Sequence, residues 1–179
     1  MDSIIFLVEP QQTYKEAFQA MVREYENYGE EFYYGLYKKG LEDFDAYLQL
    51  LDSQTKGLGL PEGFVATRTY WLSDSTKKIH GVIRIRTSLD SEYVAKYIGN
   101  IGYDIAPLSR GKGYGTAILG LGLEKVKELK LRLEKVLITC ARDNELSSRI
   151  IEKNGGVFES EIYDENDDQY MKRYWIEIV

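Results

Sequence analysis

The sequence predicts an α+β fold, a layered α/β domain whose central mixed β-sheet carries helices. Three observations predict it. From Phe64 onward, apolar residues recur in short runs with the period of strands, separated by turn residues. Two amphipathic helical stretches alternate with those runs, Thr116 to Lys130 and Asn144 to Asn154. Before residue 64, one short strand leads into helical spacing. The predicted order is β-α-α-β-β-β-α-β-α-β-β, and a sheet with helices laid on it buries the apolar side of every such element.

Ile4 to Val8 reads as an edge or buried strand, stopped by Pro10. Thr13 followed by Glu16 has the capping-box spacing and opens a helix whose stripe is Ala17, Met21, Val22 and Tyr25. Tyrosine-rich ground follows through Tyr37, and a second helix is expected over Phe44 to Leu51. Val65 to Leu72 and Ile79 to Arg86 are strands around a polar turn, Ser73 to Lys77. Residues 87–97 form a connection that can hold a helical turn. Asn100 to Ala106 is a strand ended by Pro107, and Val136 to Cys140 is a short apolar strand. Gly155-Gly156 closes the helix begun at Asn144, and Val157 to Tyr163 and Tyr170 to Ile178 are strands around an acidic loop.

Residues 1–179 are expected to form a single domain, and an apolar fraction of 44% suffices for a core. The net charge of −6 argues against nucleic-acid binding, which needs a basic footprint, and against an anionic membrane surface. Cys140 is the single cysteine, so no intrachain disulfide is possible, and His80 is the single histidine, so no multi-histidine metal site exists. The start, Met-Asp-Ser and a short apolar run, lacks a signal-peptide pattern, and no stretch approaches the roughly 20 apolar residues that span a bilayer. A cytoplasmic location is the expectation.

The informative segment runs Ile105-Ala106-Pro107-Leu108-Ser109-Arg110-Gly111-Lys112-Gly113-Tyr114-Gly115-Thr116. A strand ends, a glycine-rich loop follows and a helix begins. Glycines admit close approach of a ligand to the backbone, and helix-start N–H groups favour an anion. Arg110 and Lys112 add positive charge. A phosphate or pyrophosphate cradle is the physical reading. The Walker pattern is absent, and both possible dinucleotide registers fail, at Thr116 and at Ile118.

Arg110, Gly113 and Gly115 after a strand, then Asn144 and Gly155 after the next strand, resemble the motifs of the GNAT-type N-acetyltransferases. The resemblance covers residues 64–179 well and residues 1–63 in outline, with the CoA motifs within 97–156. It implies an acetyl-CoA-dependent transfer to an amine, with acetyl-CoA as co-substrate and no metal. By this resemblance the pantetheine arm pairs with the central strand around Tyr103, Asp104 and Ile105. The pyrophosphate then rests on Gly111, Lys112, Gly113, Tyr114, Gly115 and Thr116 beside Arg110, and Asn144 bonds the pantetheine. The backbone N–H of Ile105 polarises the thioester carbonyl.

One departure matters. Many family members carry a tyrosine seven residues beyond the motif asparagine, as general acid; here that residue is Ile151. The usual base position near the start of the central strand holds Gly99, Asn100 and Ile101. Tyr103, Cys140, Asp104 and Glu92 are then the substitutes nearest in sequence, with Tyr103 and Cys140 taken as candidate catalytic residues. The acceptor amine stays unidentified. The acidic loop 159–168 would suit a cationic small molecule, but a solvated turn explains it as well. Residues 1–63 are expected on the acceptor side, and a homodimer is compatible with the sequence. A non-catalytic acyl-CoA-binding or sensor module is the alternative reading, motivated by the missing acid and base.

Overall fold

A computed structural model describes residues 4–131 and 133–178. Met1 to Ser3, part of the start read above as lacking a signal-peptide pattern, lie outside the described residues. The described strands are β1 (Ile5–Val8), β2 (Thr67–Asp74), β3 (Ile79–Arg86), β4 (Ile101–Ile105), β5 (Lys135–Ala141), β6 (Val157–Asp164) and β7 (Gln169–Glu177). They form one sheet in the order β1-β2-β3-β4-β5-β7-β6. The β4–β5 pair is parallel and the others are antiparallel, so the sheet is mixed as the sequence predicts.

The N-terminal third differs from the expectation. Helix α1 (Lys15–Asn27) begins behind a 3₁₀ turn at Gln12–Tyr14, and no side chain caps it. Thr13 is inside that turn and its hydroxyl bonds Gln11, which removes the expected capping box. Two short helices that the sequence reading lacked follow, α2 (Glu31–Tyr37) and α3 (Lys39–Glu42), before α4 (Phe44–Thr55). Asp43 caps α4 through the Ala46 N–H at 2.9 Å. Beyond the sheet's centre lie α5 (Tyr114–Glu128) and α6 (Glu145–Lys153).

Alternation along the strands splits the core in two. Tyr70, Leu72, Ile83, Ile85, Ile101 and Ile138 face α5 and α6, where Ile118, Leu119 and Ile151 meet them. Trp71 and Val82 face the other way, among Phe18, Tyr25, Tyr37, Phe44 and Tyr47 of the N-terminal helices. Phe18 stacks on both Trp71 and Tyr47 with centroids 4.9 Å apart. The tyrosine run from 25 to 37 therefore supplies both core and the wall of a cavity described below. Among the described residues no helix is long and apolar enough to cross a membrane.

Candidate active site

The site is organised by a break in the sheet. β4 and β5 pair in register at Ile101 and Ile138 alone, although each strand runs on past that point. Below the break, Asn100 ties three strands together. Its N–H donates to the Leu137 carbonyl at 2.7 Å, and its side-chain oxygen accepts from the Leu137 N–H at 2.9 Å. Its carbonyl accepts from the Arg86 N–H at 2.7 Å. Gly99, at φ 72°, makes the preceding bend, and a Cβ there would stand 2.5 Å from the Leu137 carbonyl oxygen. Above the break the strands part.

Which backbone groups line the gap follows from the ladder. The Ala106 N–H donates to the His80 carbonyl at 2.9 Å, so even-numbered positions of β4 turn their backbone toward β3. Tyr103 and Ile105 therefore turn their N–H and C=O groups toward the gap. The Ile105 carbonyl accepts Arg110 Nε at 2.9 Å, which leaves its N–H facing the opening.

Asp104 is set apart from this lining. Its carboxylate is buried on the opposite face, accepting from Tyr25 Oη at 2.5 Å, Tyr37 Oη at 2.6 Å and Arg84 Nη2 at 2.8 Å. It braces β4 against α1 and α2 rather than offering a group to a ligand in the gap. Burial pushes both phenols upward in pKa, so they stay protonated donors to the carboxylate.

At the end of β4 the chain makes a 3₁₀ turn, Pro107–Ser109, and enters the glycine loop. Gly111 and Gly113 have φ of 74° and 81°, and Gly113 stands at the N-cap of α5 in the left-handed region. No protein atom would meet a Cβ at either position, so the loop's outer side is open. The first turn of α5 offers N–H groups without intrahelical acceptors. Arg110 is already engaged: its guanidinium grips Glu30 at 2.5 and 2.8 Å. Lys112 Nζ rests on the Leu108 carbonyl at 2.9 Å. The loop's positive charge is thus used partly to fasten it to the α1–α2 link, and the backbone carries most of the anion-binding capacity.

A buried trio anchors the loop from below. His80 Nε2 meets Asp74 Oδ2 at 2.9 Å, and His80 Nδ1 meets Ser109 Oγ at 2.8 Å. The imidazole also lies against the Tyr114 ring, 4.4 Å between centroids. These are the residue types of a nucleophilic triad, yet Ser109 has no exposed surface. The trio pins the turn before the loop onto the β2–β3 hairpin. Burial pushes the Asp74 carboxyl up, but hydrogen bonds from Thr76, His80 and the backbone outweigh it and hold it at about 2.

The two candidate acids lie on the gap's α6 side. The Tyr103 hydroxyl is buried without a hydrogen-bond partner and neighbours Ser147 and Cys140. Cys140 Sγ is 3.5 Å from Ser148 Oγ. Burial pushes both groups up, so each holds its proton at neutral pH and can donate it. Asn144 caps α6, its Oδ1 accepting the Ser147 N–H at 3.0 Å, which leaves its amide N–H free. Ile151 is fully buried in the core between α6 and the sheet.

On the opposite face a cavity of about 350 Å³ opens between α2, α4 and strands β2 to β4. It reaches the gap at Ile101, Gly102 and Thr139. Sequence reasoning missed its two arginines, Arg84 and Arg86. The signal was there: His80, Val82, Arg84 and Arg86 share one strand face by period-two spacing, opposite Ile83 and Ile85. In the acidic hairpin several carboxylates are already engaged. Glu159 bonds Arg173 and Trp175, Glu161 meets Arg142, and Asp164 is buried in its own turn.

The chain is similar to known proteins. Residues 27–157 match the family model "Acetyltransferase (GNAT) domain". Among curated proteins no relative matches the chain. Solved structures share the fold. One is the microcin C7 self-immunity acetyltransferase MccE in complex with acetyl-CoA and AMP, at TM-score 0.69 and 16% identity over 99% of this chain and 94% of that one. Another is RimL, a ribosomal L7/L12 alpha-N-protein acetyltransferase in complex with CoA, at 0.69 and 14% over 99% and 96%. A third is the dodecameric spermidine N-acetyltransferase from Vibrio cholerae, at 0.58 and 17% over 97% and 92%.

Proposed function

Since the chain belongs to the GNAT acetyltransferase family, we propose that residues 1–179 act as one acetyl-CoA-dependent N-acetyltransferase unit that acetylates a primary amine by direct attack. The observation that carries this reading is the parted β4–β5 pair, whose Tyr103 backbone and Ile105 N–H face the gap next to the open glycine loop. The orphaned Tyr103 hydroxyl and the loop's unfilled outer side both fit a bound CoA. The MccE complex with acetyl-CoA and the RimL complex with CoA support the same co-substrate.

In this reading the N–H groups from Gly111 to Thr116 hold the pyrophosphate, and the free amide of Asn144 bonds the pantetheine. The backbone of Tyr103 continues the strand pairing to the arm. The Ile105 N–H donates to the thioester oxygen as it gains charge, which costs the protein no rearrangement. The neutral amine nitrogen forms a bond to the acetyl carbon, the carbon–sulfur bond breaks, and the proton lost by the amine replaces the one given to the thiolate. Tyr103 or Cys140 supplies that proton. Proximity furnishes most of the acceleration, as expected where no titrating base is in place.

The test is release of free CoA thiol on adding acetyl-CoA and a panel of amines, with the acetylated product identified by mass. Thiol release dependent on an amine supports transfer. Tight CoA binding with no acetylated product from any amine would favour the binding-module reading. Tyr103→Phe and Cys140→Ala separate the acids: the true donor should cost on the order of 100-fold in kcat with CoA affinity kept. Loss of under about threefold in both would indicate that the thiolate leaves with solvent help.

A further inference from the structure

The cavity beside the gap has a chemical character of its own. Its wall is largely apolar, with Phe32, Leu50, Leu60, Phe64, Ile98 and Met171 among the residues that form it. The charged residues in that wall are Arg84 and Arg86, and no carboxylate lines it. Arg84 is compensated by Asp104. Arg86 is not. It is 6% exposed, its Nη1 reaches the Gly99 carbonyl at 3.3 Å, and its Nε has no partner. Among the described residues no acidic group pairs with it. The Phe64 ring faces the guanidinium at 5.7 Å, and Thr67, Tyr93 and Asn100 surround it without negative charge.

A buried cation without a counter-ion is costly, and such a group lining a cavity marks a candidate binding site. Burial and the neighbouring Arg84 charge push Arg86 down to about 9, still above neutral pH, so it remains a cation. Both guanidinium groups lie over Gly102, where a Cβ would stand 3.5 Å from Arg86 Nη1 and 3.9 Å from Arg84 Nε. The missing side chain leaves room beside them, on the strand that borders the gap.

We propose that this cavity selects an acceptor amine that also carries an anionic group, a carboxylate or a phosphate, paired with Arg86, and an apolar body lying on the aromatic and aliphatic wall. The inference rests on the acetyltransferase reading for the amine, but the anion site stands on its own. It runs against a polyamine acceptor, since spermidine would bring further cations to a wall whose net charge is already positive.

The test has a binding arm and a turnover arm. Phenylacetate, phenyl phosphate and the neutral 2-phenylethanol are titrated calorimetrically into the wild-type protein, Arg86→Met and Arg86→Lys. At least one of the two anions should bind wild type about 10- to 100-fold more tightly than the neutral probe, and which one does names the anionic group. Arg86→Met should lose that difference while its CoA affinity stays unchanged, and Arg86→Lys should retain part of it. Arg86→Met should also melt at a higher temperature, because an uncompensated buried charge is gone; Arg86→Lys keeps the experiment readable if Arg86→Met fails to fold. In the turnover arm, 4-(aminomethyl)phenylacetate is compared with 4-methylbenzylamine and spermidine, and kcat/KM should favour the anionic amine. Equal affinity for all three probes, or an anion preference that survives in Arg86→Met, overturns the proposal. Anion binding that requires Arg86 in a protein that acetylates no amine would uphold the site and refute the transferase reading instead.

Discussion

At the residue scale, the arguments turn on which polar groups are already spent. Arg110 looked from its sequence position like a phosphate ligand, but Glu30 and the Ile105 carbonyl occupy it. That leaves geometry at Gly113 as the sharpest handle on CoA. Gly113→Val strains a residue at φ 81° and fills space that the protein leaves open. The protein should fold, with stability reduced by about 1–2 kcal/mol, and lose at least about tenfold in CoA affinity by titration calorimetry. The Arg110–Glu30 and Tyr25–Asp104 pairs were illegible in the sequence, because partners 79 or 80 residues apart carry no local signal. The glycines, Asn144 and Ile151 were legible because spacing along one segment places them. Even so, spacing did not say that Ile151 is fully buried in the core.

At the element scale, β4 matters most, and Asn100 and the buried trio hold its two ends. Asn100→Ala would leave the Leu137 N–H buried without its side-chain acceptor and should cost about 1–3 kcal/mol in urea unfolding. Asn100→Asp should lose less if its carboxylate keeps that acceptor. At the other end, Asp74 has a folded pKa of about 2, below the roughly 4 of an unfolded carboxyl. A depressed acid pKa contributes stability that is complete above about pH 5 and is lost as pH falls toward 2. Wild type should therefore lose stability more steeply between pH 5 and 3 than Asp74→Asn does, in unfolding measured at each pH. Parallel slopes would mean that the hydrogen bonds from Thr76, His80 and the backbone do not stabilise the Asp74 carboxylate. The C-terminal elements were readable since each begins and ends on a clear period change or glycine. The stretch from Tyr28 to Asp43 was not, because two helices of seven and four residues are too short to show a periodic stripe.

At the scale of the whole molecule, one sheet divides two tasks. The α5–α6 face carries the loop and the gap, and the N-terminal helices on the other face carry the cavity with Arg86. The parted strands connect the two sides, so under the proposed function an acyl donor held by backbone and an amine held by side chains would meet at β4. Domain order was predictable from alternating strand and helix patterns; this division was not, since it depends on which strand face each helix covers. The most direct measurement is amide hydrogen exchange with and without CoA. The account predicts slowed exchange at Tyr103, Ile105 and the amides from Gly111 to Thr116, with little change in β6 and β7. Unchanged exchange at Ile105 and the loop under saturating CoA, or protection confined to another surface, would contradict it.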